Sequence, residues 1–180
     1  AEVRRRLTES VPLGVKEYYF TGGEPFLNPD MTAILVETLQ FGPATVLTNG
    51  TVFKNDWLET LRNAEQASPY SLEFRVSIDG FSPETNDPIR GEGTFTRALK
   101  GVSKLVQFGF LPIITATRTW PIETERDVVG NFERMLRDIG YTRPRIKVLP
   151  TLQLGAEVER SCGYRASERV THDMMVDFDE

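Results

Sequence analysis

Four residues, Gly22-Gly23-Glu24-Pro25, set bare backbone beside a single carboxylate. Two glycines at a strand end leave main-chain carbonyls and amides open to a ligand. Glu24 adds one acidic acceptor, and Pro25 stiffens the exit. The chemistry that suits such a loop is capture of a small ligand with a cationic group, pressed against main chain. Other polar residues fall where a partner group would be needed. Thr48 and Asn49 close one apolar run, and Ser77 and Asp79 close another. Thr115, Thr117 and Arg118 close a third. Ser77 and Asp79, two residues apart, share one face of a strand. Together these groups offer acceptors for an ammonium and hydroxyls for polar contacts, and Arg118 can pair with a carboxylate.

The elements that must position them follow from periodicity. Apolar runs predict strands at 16–21, 44–48, 73–79, 112–116 and 145–149. Residues 2–10 predict a short polar helix. Asn28 as N-cap and Pro29 at the first position predict a helix with Met31, Ile34, Leu35 and Leu39 on its apolar face, stopped by Gly42-Pro43. Asn55 predicts a cap for a helix carrying Leu58 and Leu61. Residues 81–93 read as a polar, proline-containing loop. Thr94 caps the clearest helix, with Phe95, Ala98, Leu99, Val102, Leu105 and Val106 inward and Gly109 as its stop. Thr124 with Asp127 resembles a capping box for a helix carrying Val128, Phe132, Met135, Leu136 and Ile139. A weak helical pattern closes the chain at Val170, Met174 and Phe178. Strand and helix alternate throughout, which is the signature of a parallel sheet wrapped by helices. A barrel and a doubly wound open sheet both fit. In either, ligands bind at the carboxyl ends of the strands, where the polar residues named above lie.

Composition narrows the class. A chain of 180 residues is one domain in size, and 39% hydrophobic with 26% charged residues is ordinary for a soluble protein. No apolar run approaches the ~20 residues that span a bilayer, so no membrane association is expected. A net charge of -5 argues against nucleic acid as a partner, and Arg4-Arg5-Arg6 reads as a solvated helix face. The single cysteine, Cys162, excludes an internal disulfide and points to a reducing, cytoplasmic setting. Read alone it is incidental or structural, and His172, the one histidine, reads as solvated.

Residues Tyr19-Phe20-Thr21-Gly22-Gly23-Glu24-Pro25, Leu47-Thr48-Asn49-Gly50-Thr51 and Val76-Ser77-Ile78-Asp79-Gly80 occur in the order found in the radical S-adenosylmethionine enzymes, which this chain resembles. Ile89-Arg90-Gly91-Glu92-Gly93-Thr94-Phe95 also matches a common loop and helix start of that family. The resemblance covers residues 1–150, leaving 151–180 as the start of a C-terminal extension. It implies an α/β fold, a partial (β/α)6 TIM-type barrel of parallel strands. It implies two cofactors, S-adenosylmethionine and a [4Fe-4S] cluster that cleaves it reductively to a 5′-deoxyadenosyl radical, which takes hydrogen from substrate. It also implies an electron donor and a small-molecule or peptide substrate. Carried over, Gly22, Gly23 and Glu24 hold the methionine ammonium, with Pro25 shaping the loop. Thr48 and Asn49 lie beside the cofactor, Ser77 contacts its ribose or carboxylate, and Asp79 and Arg118 make further contacts. No residue of this chain is assigned as catalytic or metal-binding.

The sequence departs from the family in one respect. The Cys-x3-Cys-x2-Cys loop that ligates the cluster is absent. Because the chain opens on Ala1 within a helical pattern, the expectation is a fragment truncated at the N-terminus, with the cluster ligands upstream and the fragment alone inactive. Two other functions are consistent with the residues: a non-catalytic barrel binding a nucleotide or amino-acid-like ligand, and a phosphate-binding barrel enzyme. Glu24 disfavours the latter by repelling phosphate.

Overall fold

A computed structural model describes residues 2–151, 158–159 and 162–165. Five strands form one sheet: β1 (Tyr18–Phe20), β2 (Ala44–Thr48), β3 (Leu72–Ser77), β4 (Ile113–Thr117) and β5 (Arg145–Leu149). They lie in chain order and every neighbouring pair is parallel. The helices are α1 (Glu2–Ser10), α2 (Met31–Thr38), α3 (Asn55–Ala67), α4 (Pro83–Arg90), α5 (Thr94–Gln107) and α6 (Glu125–Asp138). The chain forms two compact units, 1–149 and 150–180, and the sheet belongs wholly to the first.

Alternation along the strands separates two faces. Val46, Phe74, Val76, Ile78, Ile114 and Ala116 are buried and form the core with Leu35, Leu58, Leu61, Val102, Leu105, Phe132 and Leu136 of the helices. The other face carries Tyr19, Leu47, Glu73, Arg75, Ser77, Ile113, Thr115, Thr117, Arg145 and Lys147, each partly or fully exposed. Helices cover the first face and leave the second open, which is the one-sided arrangement of a barrel wall rather than of a doubly wound sheet. Aromatic packing is densest under the strand tips. Phe26 lies 5.0 Å from Phe53 edge-on and stacks 6.1 Å from both Trp57 and Phe74. At the far end Tyr141 is buried, and its hydroxyl donates to the Pro112 carbonyl at 2.7 Å. Burial pushes that phenol above its ordinary pKa.

Several local expectations shift. No helix starts at Asn28. A single 3-10 turn, Pro25–Leu27, comes first, and α2 begins at Met31 with Asp30 as its N-cap. Asn28 Oδ1 instead accepts the Asp30 amide at 3.0 Å, an Asx turn that competes with capping. Residues 81–93 are not a loop, because they contain α4. Pro83 occupies the first turn, and Ser82 with Thr85 forms the capping box. Pro88 sits inside this helix, and Gly91, at φ 99°, follows its end. Thr94 is not the cap of α5 but its first residue. Gly93 is the cap, and Asp87 of α4 accepts the Gly93 amide at 2.7 Å and the Phe95 amide at 2.9 Å. Asn55 likewise is the first residue of α3, with Lys54 before it. The Thr124–Asp127 box does not form, since the Thr124 hydroxyl donates to the Pro121 carbonyl at 2.8 Å. Val170, His172, Met174 and Phe178 lie outside the described residues.

Candidate active site

The first strand ends in a loop held from below by Phe26 and from the side by Glu24. The Glu24 Oε1 accepts the Phe26 amide at 3.1 Å and the Thr48 hydroxyl at 2.7 Å. Its Oε2 accepts the Asn49 amide at 2.7 Å. The carboxylate therefore ties the tip of β1 to the tip of β2, and it is 9% exposed. It has no cationic partner among the described residues. A buried carboxylate with hydrogen bonds but no counter-charge is uncommon, because isolated buried charge is costly. Pro25, beside it, is also buried.

The two glycines lie free beside this carboxylate. A β-carbon built on Gly22 or on Gly23 would meet nothing within 4 Å. Gly22 has φ 148°, in the region side chains avoid, whereas Gly23 does not. Space, not packing, therefore surrounds Gly23.

On β2, Thr48 is buried on the helix-covered face. Besides donating to Glu24, its hydroxyl accepts the Gly50 amide at 3.0 Å. Asn49 turns its side chain to the Thr51 amide at 2.9 Å and the Thr51 hydroxyl at 2.7 Å. Helix α5 packs directly on this turn, since a β-carbon at Gly101 would overlap the Gly50 carbonyl oxygen. Thr48 and Asn49 thus shape the rim mainly by holding Glu24 and the turn.

Ser77 is the half-buried last residue of β3, and Asp79 lies two residues past the strand, which ends short of the predicted 79. Asp79 is nonetheless almost fully buried and fully partnered. Its Oδ1 accepts the Thr117 amide at 2.6 Å, and its Oδ2 pairs with Arg90 Nε at 2.6 Å. Asn86 Oδ1 accepts the Asp79 amide at 3.0 Å. So Asp79 joins β3 to β4 and both to α4. The Ser77 hydroxyl has no partner among the described residues. On β4, Arg118 donates its amide to the Leu149 carbonyl at 2.8 Å, and its guanidinium is 3.6 Å from Glu125 Oε2.

All nine residues singled out in the sequence, Gly22, Gly23, Glu24, Pro25, Thr48, Asn49, Ser77, Asp79 and Arg118, fall at the carboxyl ends of β1 to β4. Direct bonds join Glu24, Thr48 and Asn49 in one group, whereas Asp79 belongs to a second group with Thr117 and Arg90. Sequence reasoning missed Arg90 and Asn86, because α4 was not recognised. The Ser82-Pro83-Glu84-Thr85 cap carried the signal. It also missed the charges lower on the open face. Glu73 there pairs with Arg75 and with Arg145, each at 2.9 Å. Arg75 lies 5.5 Å from the Tyr19 ring, and the Tyr19 phenol is held above its ordinary pKa by its bond to Glu17. Period-two alternation of Arg145 and Lys147 would have placed both on that face.

Residues 1–135 match the Radical SAM superfamily. The chain belongs to that superfamily. It is 27% identical over 141 residues to a protein named "Probable GTP 3',8-cyclase" of Pyrobaculum aerophilum, covering 77% of this chain and 44% of that protein. It is 33% identical over 129 residues to the antilisterial bacteriocin subtilosin biosynthesis protein AlbA of Bacillus subtilis, covering 71% of this chain and 27% of AlbA. Among solved structures, Streptococcus suis SuiB bound to S-adenosylmethionine superposes with TM-score 0.67 at 20% identity, over 86% of this chain and 34% of SuiB. SuiB has also been solved with its precursor peptide SuiA, and there the TM-score is 0.65. The partial barrel of this superfamily is thus the fold seen here. The chain spans less than half the length of each relative named.

The two cofactors the superfamily implies fit this chain unequally. Bare Gly22-Gly23 backbone, a buried carboxylate with no cationic partner among the described residues and the Ser77 hydroxyl suit S-adenosylmethionine, which carries an ammonium, a carboxylate and ribose hydroxyls. An iron–sulfur cluster needs several thiolates. The sequence has one, Cys162, which is exposed, and no group of three potential ligands exists among the described residues. This chain does not itself supply a cluster site. No helix among the described residues is long and apolar enough to cross a membrane.

Proposed function

We propose that this chain is the cofactor-binding barrel of a radical S-adenosylmethionine enzyme acting on a peptide or small-molecule substrate in the cytoplasm. The single observation that carries the reading is Glu24, a buried carboxylate without a counter-charge among the described residues, next in the chain to the bare Gly22-Gly23 backbone at a strand tip. An ammonium ligand supplies the missing positive charge, and the glycine carbonyls supply its remaining acceptors. Thr48 and the Asn49 amide fix the carboxylate so that it need not reorganise when the ligand arrives. Ser77 offers a hydroxyl to the cofactor's ribose or carboxylate, and Asp79 and Arg118 order the rim beside it. When bound and reduced by one electron, S-adenosylmethionine supplies a carbon radical able to take a hydrogen atom from substrate. The chain's own part is to bind, orient and exclude water. Membership of the superfamily favours this over a non-catalytic barrel, for which no observation speaks. The solved complex of SuiB with a precursor peptide supports a peptide among the candidate substrates.

The test is Gly23→Val in the whole protein, reconstituted anaerobically with iron and sulfide. Since Gly23 has ordinary φ and open space around it, the variant folds and keeps its cluster spectrum. Calorimetric titration should then show S-adenosylmethionine binding abolished, and 5′-deoxyadenosine formation with it. Unchanged affinity would reduce the loop to a turn and remove the basis of this reading.

A further inference from the structure

Among the described residues two carboxylates are buried, Glu24 and Asp79, and both lie at the strand tips. They are held alike. Glu24 accepts the Asn49 amide at the tip of β2, and Asp79 accepts the Thr117 amide at the tip of β4. Those two anchoring amides stand two strands apart, on the order of 10 Å. An ammonium ligand arriving at this rim therefore meets two buried acids. One difference separates them. Glu24 has no cation beside it among the described residues, whereas Arg90 Nε lies 2.6 Å from Asp79 Oδ2. A buried carboxylate without a counter-charge draws a cation strongly, and a paired one does not.

Arg90 is set in place by its helix. It is the last residue of α4, one helical turn after Asn86. Asn86 is buried, and its Oδ1 accepts the Asp79 amide at 3.0 Å. A β-carbon on Gly80 would overlap Thr85 and the Asn86 amide, so α4 is seated directly against the chain leaving β3. The same helix thus binds the backbone of Asp79 through Asn86 and its side chain through Arg90.

We infer that Arg90 is a positioning residue: by neutralising Asp79 it confines the cofactor's ammonium to Glu24, and so fixes which way round the cofactor lies. This assignment rests on the reading of Glu24 as the ammonium site. It adds that Asp79 orders the rim without taking the ligand, and that charge rather than shape chooses between the two acids. Without Arg90 the acids compete, and bound cofactor divides between them.

The test follows the Asn49 amide proton by NMR in the whole protein carrying its cluster, unreduced and saturated with S-adenosylmethionine. That proton reports on Glu24 through their shared bond. The unsubstituted protein should give one signal, fully shifted. In Arg90→Gln the shift should be incomplete at saturation. A second signal should stand near the ligand-free position, or a weighted mean if the two forms exchange quickly. Calorimetric affinity should be kept, while 5′-deoxyadenosine formed per bound cofactor under reducing conditions falls to about half or less, as two comparable acids share the ligand. Arg90→Lys keeps the charge and should restore the full shift. So should the double variant Asp79→Asn/Arg90→Gln, in which the introduced amides can bond each other and the Thr117 amide but no second acid remains. A purely structural arginine would not be rescued by removing its partner's charge as well. If a melt shows Arg90→Gln unfolded, Asp79→Asn decides. It strands the Arg90 cation beside the cofactor's ammonium and sulfonium, and S-adenosylmethionine should bind at least about tenfold more weakly. A fully shifted single signal in folded Arg90→Gln, or unchanged affinity in Asp79→Asn, overturns the role of Arg90 and leaves Glu24 as the ammonium site. An unsubstituted protein whose Asn49 signal ignores saturating cofactor would sink the reading of Glu24, and the role of Arg90 with it.

Discussion

Glu24 is held by three hydrogen bonds, and their geometry says what a conservative change would do. In Glu24→Gln the amide oxygen can still accept from Thr48 and Phe26. The amide nitrogen then faces the Asn49 N–H, donor against donor. Loss of charge removes a charge-assisted bond worth roughly 1.5–3 kcal/mol, so S-adenosylmethionine affinity should fall by about ten- to a hundredfold. The clashing donors should also lower thermal stability, which a melt of the ligand-free variant would show. Ser77→Ala should cost less binding, on the order of 1 kcal/mol, since its hydroxyl is neutral. If Glu24→Gln bound cofactor normally while melting early, the carboxylate would be structural alone. The importance of Glu24 was legible in its setting between glycine and proline. Its bonds to Thr48 and Asn49 were not, because sequence shows no partner 25 residues away.

At the scale of elements, strands were read more faithfully than helix ends. Their apolar runs are set by burial against a whole helix layer, whereas a cap is decided by one competing hydrogen bond. Asn28 illustrates this, its side chain taking the Asp30 amide in a turn. Helix α4 was hidden because Pro83 and Pro88 suggested a loop, while only Asn86 of its eight residues is buried. Its consequence is the cap of α5, supplied by Asp87 from outside that helix. The Phe95 amide, with help from Gly93, Thr94 and Asn86, holds the Asp87 carboxyl below the ordinary range. A depressed folded-state pKa means stabilisation that is complete above the unfolded value, ~4, and is lost as pH falls through the folded one. Denaturant melts should therefore show Asp87→Asn less stable than the unsubstituted chain at neutral pH, with the gap closing below pH ~4. A gap independent of pH would assign the effect to shape rather than charge.

The molecule as a whole brings together parallel order, a one-sided helix layer and a polar open face. Parallel order was readable from alternation of elements. Which face stays open was not, because both barrels and doubly wound sheets alternate alike. The decisive fact was that buried residues of β2, β3 and β4 keep to the parity the helices cover, with Thr45 the one exception. With a single cysteine, this chain reconstituted alone with iron and sulfide should take up no stable cluster, and absorbance and iron assay should read blank. About four irons per chain would show that the ligands lie within it after all. The joint between the tips of β1 and β2 has one more consequence. The Asn49 amide belongs to a loop, where protons ordinarily trade with solvent quickly, yet it points at a buried carboxylate. Its hydrogen exchange should be as slow as that of a mid-strand amide and should quicken in Glu24→Gln. That one proton thus works as a clock for how often the two strand tips part.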